Sequence, residues 1–284
     1  MQPQLFIFGI GYSSLAIAKL AISKGFRVSG TVRSAEKAHM LKQQCIEAMV
    51  YPRADSAHLH VKLHTHLRDD AITHILCSVP AAEDIDPLQW LPSDTKNKWL
   101  GYLSTTGVYG DYQGEWVDEQ SELRPTNDRL KRRVAAENGW LARSGHVFRL
   151  AGIYGAHRNA LVDIKNGDAR RIEKAGQVFS RIHVDDIAQT VFASMHDPQP
   201  GTVYNICDDE AAPAHEVVKY GCELLGVEPP PLVPFEEAML SVMGKEFYAA
   251  NRRVSNKRIK ETLGIKLYYP NYRVGLQALA KNLA

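Results

Sequence analysis

The sequence contains no run long and apolar enough to cross a bilayer, and it carries a formal net charge of only +2 over 284 residues. The first absence argues against a membrane span. The second gives no reason to expect a nucleic-acid or membrane partner. Cysteine is scarce as well: Cys45, Cys77, Cys207 and Cys222 are scattered without a CxxC pair, so buried reduced thiols are the simplest reading. No internal repeat and no low-complexity segment interrupts the chain. Met1-Gln2-Pro3-Gln4 leads straight into an apolar strand, which leaves no room for a signal peptide and makes a cytoplasmic location the expectation.

One local surplus invites a metal and is better explained without one. His58, His60, His64 and His66 fall between Asp55 and Asp70, and His60 and His64 share a helical face at i, i+4. Leu59, Leu63 and Leu67 form a core stripe at that same spacing, which turns the histidines outward. With no cysteine or carboxylate among them to complete a ligand set, the segment reads as a solvated histidine-rich helix, and no metal is expected.

What the chain has is core: 45% of its residues are hydrophobic, enough for one large α/β domain with a smaller lobe. The stretch Leu5 to Ser34 constrains the rest. Leu5-Phe6-Ile7-Phe8 is too short for a helix and suits a strand buried on both faces. Gly9-Ile10-Gly11-Tyr12-Ser13-Ser14 follows as a turn, then a helical pattern on Leu15, Ala18, Ala21 and Ile22 that Gly25 stops, then a second apolar strand to Val32. Strand, glycine turn, helix and strand make a dinucleotide-binding βαβ, in which the backbone approaches a pyrophosphate and the helix N-terminus offers free N–H groups. Ser14 stands where a third glycine is usual, a small residue that close helix–strand packing tolerates. The motif alone is a weak signal, equally an ordinary βα turn, but it sits between strand and helix as the motif requires.

The end of the second strand bears on the cofactor. An NAD site usually places Asp or Glu there for the ribose 2′-hydroxyl, whereas this chain has Arg33-Ser34. A guanidinium suits a 2′-phosphate, so NADP(H) is the preferred cofactor, with NAD(H) as the alternative; a solvated Arg33 is the competing reading. Further strands are expected at Ile46–Val50, Thr73–Val79, Trp99–Ser104, His146–Leu150 and Val203–Ile206. Asp55, in the loop after the third strand, and Ser78 and Val79, after the fourth, are candidate cofactor neighbours. Helices are expected over Ala35–Gln44, Asp128–Arg143, Ile187–Met195 (capped by Asp185 or Asp186), His215–Leu225, Phe235–Gly244 and Ser255–Leu263. The fold class is α/β: a doubly wound, mostly parallel Rossmann sheet with a small, mainly helical C-terminal substrate lobe. Residues 1–151, joined by 182–206, form the dinucleotide domain in this reading, and 152–181 with 207–284 form the lobe.

Several motifs, in order along the chain, resemble the extended short-chain dehydrogenase/reductases, the NAD(P)-dependent epimerase/dehydratase family. They are the glycine turn, STTGVYGD (Ser104 to Asp111), RLAGIYG (Arg149 to Gly155), SRIHVDDIA (Ser180 to Ala188), YNICDDE (Tyr204 to Glu210) and the closing stretch Asn251 to Leu276. The resemblance is strongest to an atypical subgroup of uncharacterised members. It implies that Thr105 supplies a hydroxyl to the reacting oxygen and that a Tyr-x-x-x-Lys pair follows, with a Glu four residues after the Lys. If Glu137 is that Glu, the Lys position holds Arg133 and the Tyr position holds Arg129. A phenol near a cation can move a proton near neutral pH; a guanidinium does not deprotonate, though it can stabilise an oxyanion. Arg129 and Arg133 share a helical face, so they read either as a pocket for an anion or as part of a solvated basic run with Lys131 and Arg132.

Tyr109 and Tyr154 stand where intact family members also carry tyrosines, as packing residues or as stand-ins for the acid. By the same resemblance Arg158, Arg181 and His183, with Tyr109, line the substrate side, and an anionic or nucleotide-sugar-like small molecule is the expected substrate. Arg181 is alternatively a helix-entry residue with no ligand. The family implies an NAD(P)-dependent oxidoreductase or epimerase-like activity; altered acid/base residues leave a catalytically silent dinucleotide-binding or regulatory protein as the alternative. Members often dimerise through paired helices, so the resemblance allows a homodimer, but no exposed apolar stripe in the sequence marks an interface and the sequence does not fix the oligomeric state.

Overall fold

The computed structural model describes residues 2–51, 63, 65–69, 71–81, 87–92 and 94–281. The chain divides into two compact units: Met1–Thr105 with Asn127–Arg149 and Ile187–Tyr204, and Thr106–Thr126 with Leu150–Asp186 and Asn205–Ala284. The segment 106–126, expected in the dinucleotide domain, belongs to the second unit.

The first unit is organised by a seven-stranded parallel sheet, an α/β Rossmann-like fold. Its strands are β1 (Gln4–Phe8), β2 (Arg27–Val32), β3 (Ile46–Val50), β4 (Ile72–Cys77), β5 (Trp99–Thr105), β6 (His146–Leu150) and β7 (Val203–Ile206). They lie in the order β7-β6-β5-β4-β1-β2-β3. β1 is buried along its whole length, as its continuous apolar run requires, because it pairs with β2 on one side and β4 on the other. The order therefore reverses between β1 and β4, and the crevice beyond the carboxyl ends of those two strands is the topological switch point. The helix α1 (Tyr12–Ser23) returns the chain from β1 to β2, and Gly25 ends the connection at a φ of +86°. α2 (Ala35–Lys42) and α3 (Asp128–Ala142) are the other helices that bear on the site.

One face of the sheet packs Phe6, Phe8, Ile75, Tyr102 and Val147 around Trp140 of α3, with the Tyr102 and Trp140 rings stacked at 5.8 Å. Beneath this apolar layer lies a buried charge pair. Glu137 of α3 and Arg149 of β6 meet at 2.8 Å, their side chains 1% and 5% exposed. Ser104 of β5 donates to the other Glu137 oxygen at 2.5 Å, and Arg149 Nε is shared between the two oxygens at 3.1 and 3.4 Å. Three elements of the chain are thus joined through one carboxylate whose two oxygens are both satisfied, the condition under which a buried charge is tolerable. Farther along β6, His146 donates through Nδ1 to the Leu100 carbonyl and accepts at Nε2 from the Gln199 N–H, an arrangement that needs a neutral ring.

The second unit is assembled from short parallel pairs: Gly152–Tyr154 with Arg181–His183, Arg171–Glu173 with Leu232–Pro234, and Trp116–Val117 with Arg253–Val254. Its core gathers Tyr154, Leu161, Val217, Tyr272 and Leu276. Two local expectations are corrected here. The helix expected over 235–244 forms instead over Val242–Tyr248, where Ser241 offers an N-cap oxygen to the Gly244 N–H at 3.1 Å. Asp186 does not cap: the helix already begins at Val184, and the buried Asp186 carboxylate accepts the N–H groups of Tyr268 and Tyr269 at 2.7 and 3.1 Å.

Because Glu137 has its partners inside the fold, removing the cation alone should strand a buried charge. We expect Arg149→Met to lose about 3–5 kcal/mol of unfolding free energy in urea titration, and Arg149→Met with Glu137→Leu to recover a large part of it. Equal stability of the single variant and the parent would show the pair to be energetically idle.

Candidate functional site

β1 ends at Phe8, and the chain must turn at once to start α1. Gly9 makes the turn at a φ of +74°, and a Cβ added there would lie 2.7 Å from the Val79 side chain. No residue but glycine meets both conditions. The Ser78 N–H donates to the Phe8 carbonyl at 2.9 Å, which carries the β1–β4 ladder one step further and brings Ser78 and Val79 beside Gly9. Thr31 of β2 closes the turn from the other side, its hydroxyl accepting the Gly9 N–H at 2.8 Å.

Ser14 earns its place inside this turn. Fully buried, it accepts the Gly11 N–H at 2.8 Å and donates to the Gly9 carbonyl at 3.1 Å. A hydroxyl thus ties the loop to the helix where a third glycine would only have left space. Tyr12 opens α1 on the exposed side while Ser13 is buried, and no acidic residue stands in the first turn to offset the helix's positive end. Gly9, Gly11, Tyr12, Ser13, Ser14, Ser78 and Val79, read separately from the sequence, converge on the carboxyl ends of β1 and β4. The cradle fits a pyrophosphate in shape and polarity, since backbone rather than side chains forms its wall.

Arg33 follows directly on β2 with an exposed side chain. Ser34 accepts the Lys37 N–H at 3.3 Å as N-cap of α2, and its hydroxyl also hydrogen-bonds the Glu36 carboxylate. Asp55 lies outside the described residues, as do His58, His60 and His64. His66 packs edge-on against Phe6 at 5.5 Å between ring centroids. Among the described residues no three His, Cys, Asp or Glu side chains could hold a metal, and no helix is long and apolar enough to cross a membrane.

Thr105 is the last residue of β5, half-buried at the carboxyl edge of the sheet. The two arginines of α3 differ in kind. Arg129 is exposed in the first turn, whereas Arg133 is half-buried and its Nη1 donates to the Tyr102 hydroxyl at 3.1 Å and the Leu103 carbonyl at 3.0 Å. Arg133 therefore fixes α3 to the strand that delivers Thr105. The residue that sequence reasoning missed is Tyr102, whose phenol is pushed up to about 12, chiefly by burial, with Arg133 pulling the other way. The signal was present in the run Trp99 to Thr105, where only one residue between Trp99 and Ser104 carries a hydroxyl.

The expected substrate-side residues all lie in the second unit. Tyr109 is fully buried and donates to the Asn205 side chain at 2.7 Å, the geometry of a packing tyrosine. Arg181 is neither exposed nor extended toward a ligand: its Nη1 donates to the Phe179 and Ala212 carbonyls, both at 2.8 Å. His183 is buried beside Tyr154 and Tyr269, at 5.1 and 3.9 Å between ring centroids. Its Nδ1 accepts the Asp185 N–H at 3.2 Å, and its Nε2 has no hydrogen-bond partner among the described residues. Arg158 alone of the four keeps an exposed side chain.

Comparison with known proteins separates fold from function. No family model matches the chain, and no curated protein matches its sequence. A functionally unknown conserved protein from Silicibacter pomeroyi is 43% identical over 99% of both chains, with a TM-score of 0.87. The dTDP-glucose 4,6-dehydratase of Bacillus anthracis, solved in complex with NAD, is 16% identical over 99% of this chain and 96% of its own, with a TM-score of 0.78. The human epimerase family protein SDR39U1, solved with NADPH, is 15% identical over 98% of this chain and 99% of its own, with a TM-score of 0.72. The last two likenesses are likenesses of fold.

Burial holds the His183 imidazole below its ordinary value, against the opposing charge of Asp185. An unfolded chain protonates this ring near pH 6.5, the folded chain only at lower pH. Stability is thus complete above about pH 6.5 and falls as the pH drops through the window below it. We expect the gap between the parent and His183→Gln, measured by chemical denaturation, to narrow from pH 7 to about pH 5. His74 and His146 are held down by burial too, so the variant should retain some acid sensitivity. A gap that stays constant would refute the assignment to His183.

Proposed function

The chain belongs to the same family as the conserved Silicibacter pomeroyi protein, and we propose that it binds a nicotinamide dinucleotide, NADP(H) in preference, as an oxidoreductase or epimerase-like protein with altered acid/base residues. The observation that carries the reading is the β1–α1 turn: a left-handed glycine pressed on Val79, at the switch point of a parallel sheet, with the unshielded N-terminus of α1 above it. Gly9 and Gly11, their N–H groups taken by Thr31 and Ser14, would shape the cradle, the first turn of α1 from Tyr12 would hold the pyrophosphate, and Ser78 and Val79 would flank it. Arg33 and Ser34 stand at the end of β2, where a ribose 2′-phosphate would meet a guanidinium and a hydroxyl. The dinucleotides bound by the dehydratase and by the human epimerase family protein agree with this class of ligand.

A bound nicotinamide would supply hydride exchange at its C4 carbon. The chain's own contribution is the hydroxyl of Thr105, oriented by the end of β5, and the fixed positive charges of Arg129 and Arg133. Neither arginine can take a proton at neutral pH, so their role is to hold negative charge on an oxygen. Loss of general acid–base help is worth about 10²–10⁴-fold in rate, which makes slow turnover the expectation. An anionic small molecule remains the proposed substrate, met on the second unit by Arg158.

A catalytically silent, dinucleotide-sensing protein is the second reading. It draws on Arg133, whose Nη1 is already committed to Tyr102 and Leu103. Turnover of a carbonyl, alcohol or nucleotide-sugar substrate that Thr105→Ala removes decides for the enzyme. Binding of NADPH with no turnover across such panels decides for the sensor.

The cofactor preference has its own test. In parallel calorimetric titrations, NADPH should bind more tightly than NADH, and Arg33→Ala should weaken NADPH alone by about 10- to 100-fold, as expected for a lost charge-assisted hydrogen bond. Equal affinities in the parent protein would overturn the assignment of Arg33.

A further inference from the structure

The second unit contains a cavity of about 290 Å³ whose lining includes Trp116, Val254, Asp208, Asp209, Asn256 and Lys260. Its walls are fixed by the chain around it. Trp116 lies in the strand that pairs with Arg253–Val254, and the Cys207 thiol, next to the aspartates, donates to the Val254 carbonyl at 3.1 Å.

Three properties of the lining narrow what it can hold. Trp116 is 60% exposed, so a large apolar ring face, normally a strong contributor to burial, stays in contact with water. The charges cancel: Lys260 Nζ meets Asp209 at 2.5 Å, and the Asn256 amide donates to the same carboxylate at 2.7 Å. Asp208 is 3% exposed: its carboxyl takes the backbone N–H groups of Glu210, at 3.3 Å, and of Arg181, and Oδ2 is closed off from the cavity. Burial pushes this carboxyl well above the usual carboxylate range, with the Arg181 guanidinium acting against it.

A phosphate would meet two carboxyl groups and a lysine already paired. A divalent cation would find that lysine across one of its two carboxylates. An apolar ligand would take the Asp209–Lys260 pair out of water and leave the remaining Asp209 and Asn256 oxygens unmet. The lining instead matches a molecule with an apolar face and a hydroxyl edge. We propose that this cavity binds a neutral, polyhydroxylated ring, a free monosaccharide or a cyclitol, stacked on Trp116 with its hydroxyls shared between Asp209 and Asn256. This site needs no dinucleotide, and its failure would leave the cofactor reading intact.

The test is titration of the full chain with glucose, galactose, N-acetylglucosamine and myo-inositol to about 50 mM, read by calorimetry and tryptophan fluorescence. At least one ring should bind saturably with a Kd of about 1 mM. Trp116→Ala should weaken it about tenfold or more at unchanged thermal midpoint, and Trp116→Phe should restore most of the affinity. Binding by sugars but not by myo-inositol identifies the monosaccharide, and the converse the cyclitol. No saturable binding by any ring, binding unmoved in Trp116→Ala, or binding of UDP-glucose with every free ring inert would each overturn the proposal.

Discussion

The carboxylate of Glu137 is the point at which the first unit is held to its geometry. It takes Arg149 from β6 and the Ser104 hydroxyl from β5 while sitting on α3, so a helix and two strands share one buried charge. Thr105 is the next residue after Ser104, and Arg133 is one helical turn before Glu137. The side chains read as chemically active therefore hang from the same internal scaffold. A shift of α3 along the sheet would have to break charge-assisted bonds in a dry interior, where they are hard to replace.

That scaffold also explains the uneven character of the two arginines. Arg133 lies where the packed face of α3 meets β5, and it spends Nη1 on Tyr102 and Leu103. Arg129, a turn earlier, is exposed. The cation expected from sequence to be half of a matched pair is thus partly structural. Its charge persists near Thr105's strand, but its geometry is set by the fold first.

The parallel sheet and the glycine turn after β1 were legible in the sequence because each leaves a local mark. Buried parallel strands read as continuous apolar runs, and a left-handed turn against a neighbouring strand reads as glycine. The helix placed over 235–244 failed for an equally local reason: its apolar residues satisfied a period, but the capping serine sits at 241. The substrate-side residues were harder. Nothing in the tripeptide Arg181-Ile182-His183 reveals that the guanidinium will be satisfied by the carbonyls of Phe179 and Ala212, because the latter lies far along the chain. Asp186 looked like a helix cap and is instead the anchor for backbone N–H groups at 268 and 269. Long-range partners of polar side chains are what a single sequence conceals.

The contact between Gly9 and Val79 couples two positions far apart in the chain. A smaller residue at 79 would open room under the turn, and a larger one would lift the turn off β4 and move its N–H groups out of line with the helix end. The two positions should consequently drift together among descendants of a common ancestor: wherever 79 grows, the loop at 9 to 11 must lengthen or tilt. Residue 79 would then act as a size gauge for the anion cradle.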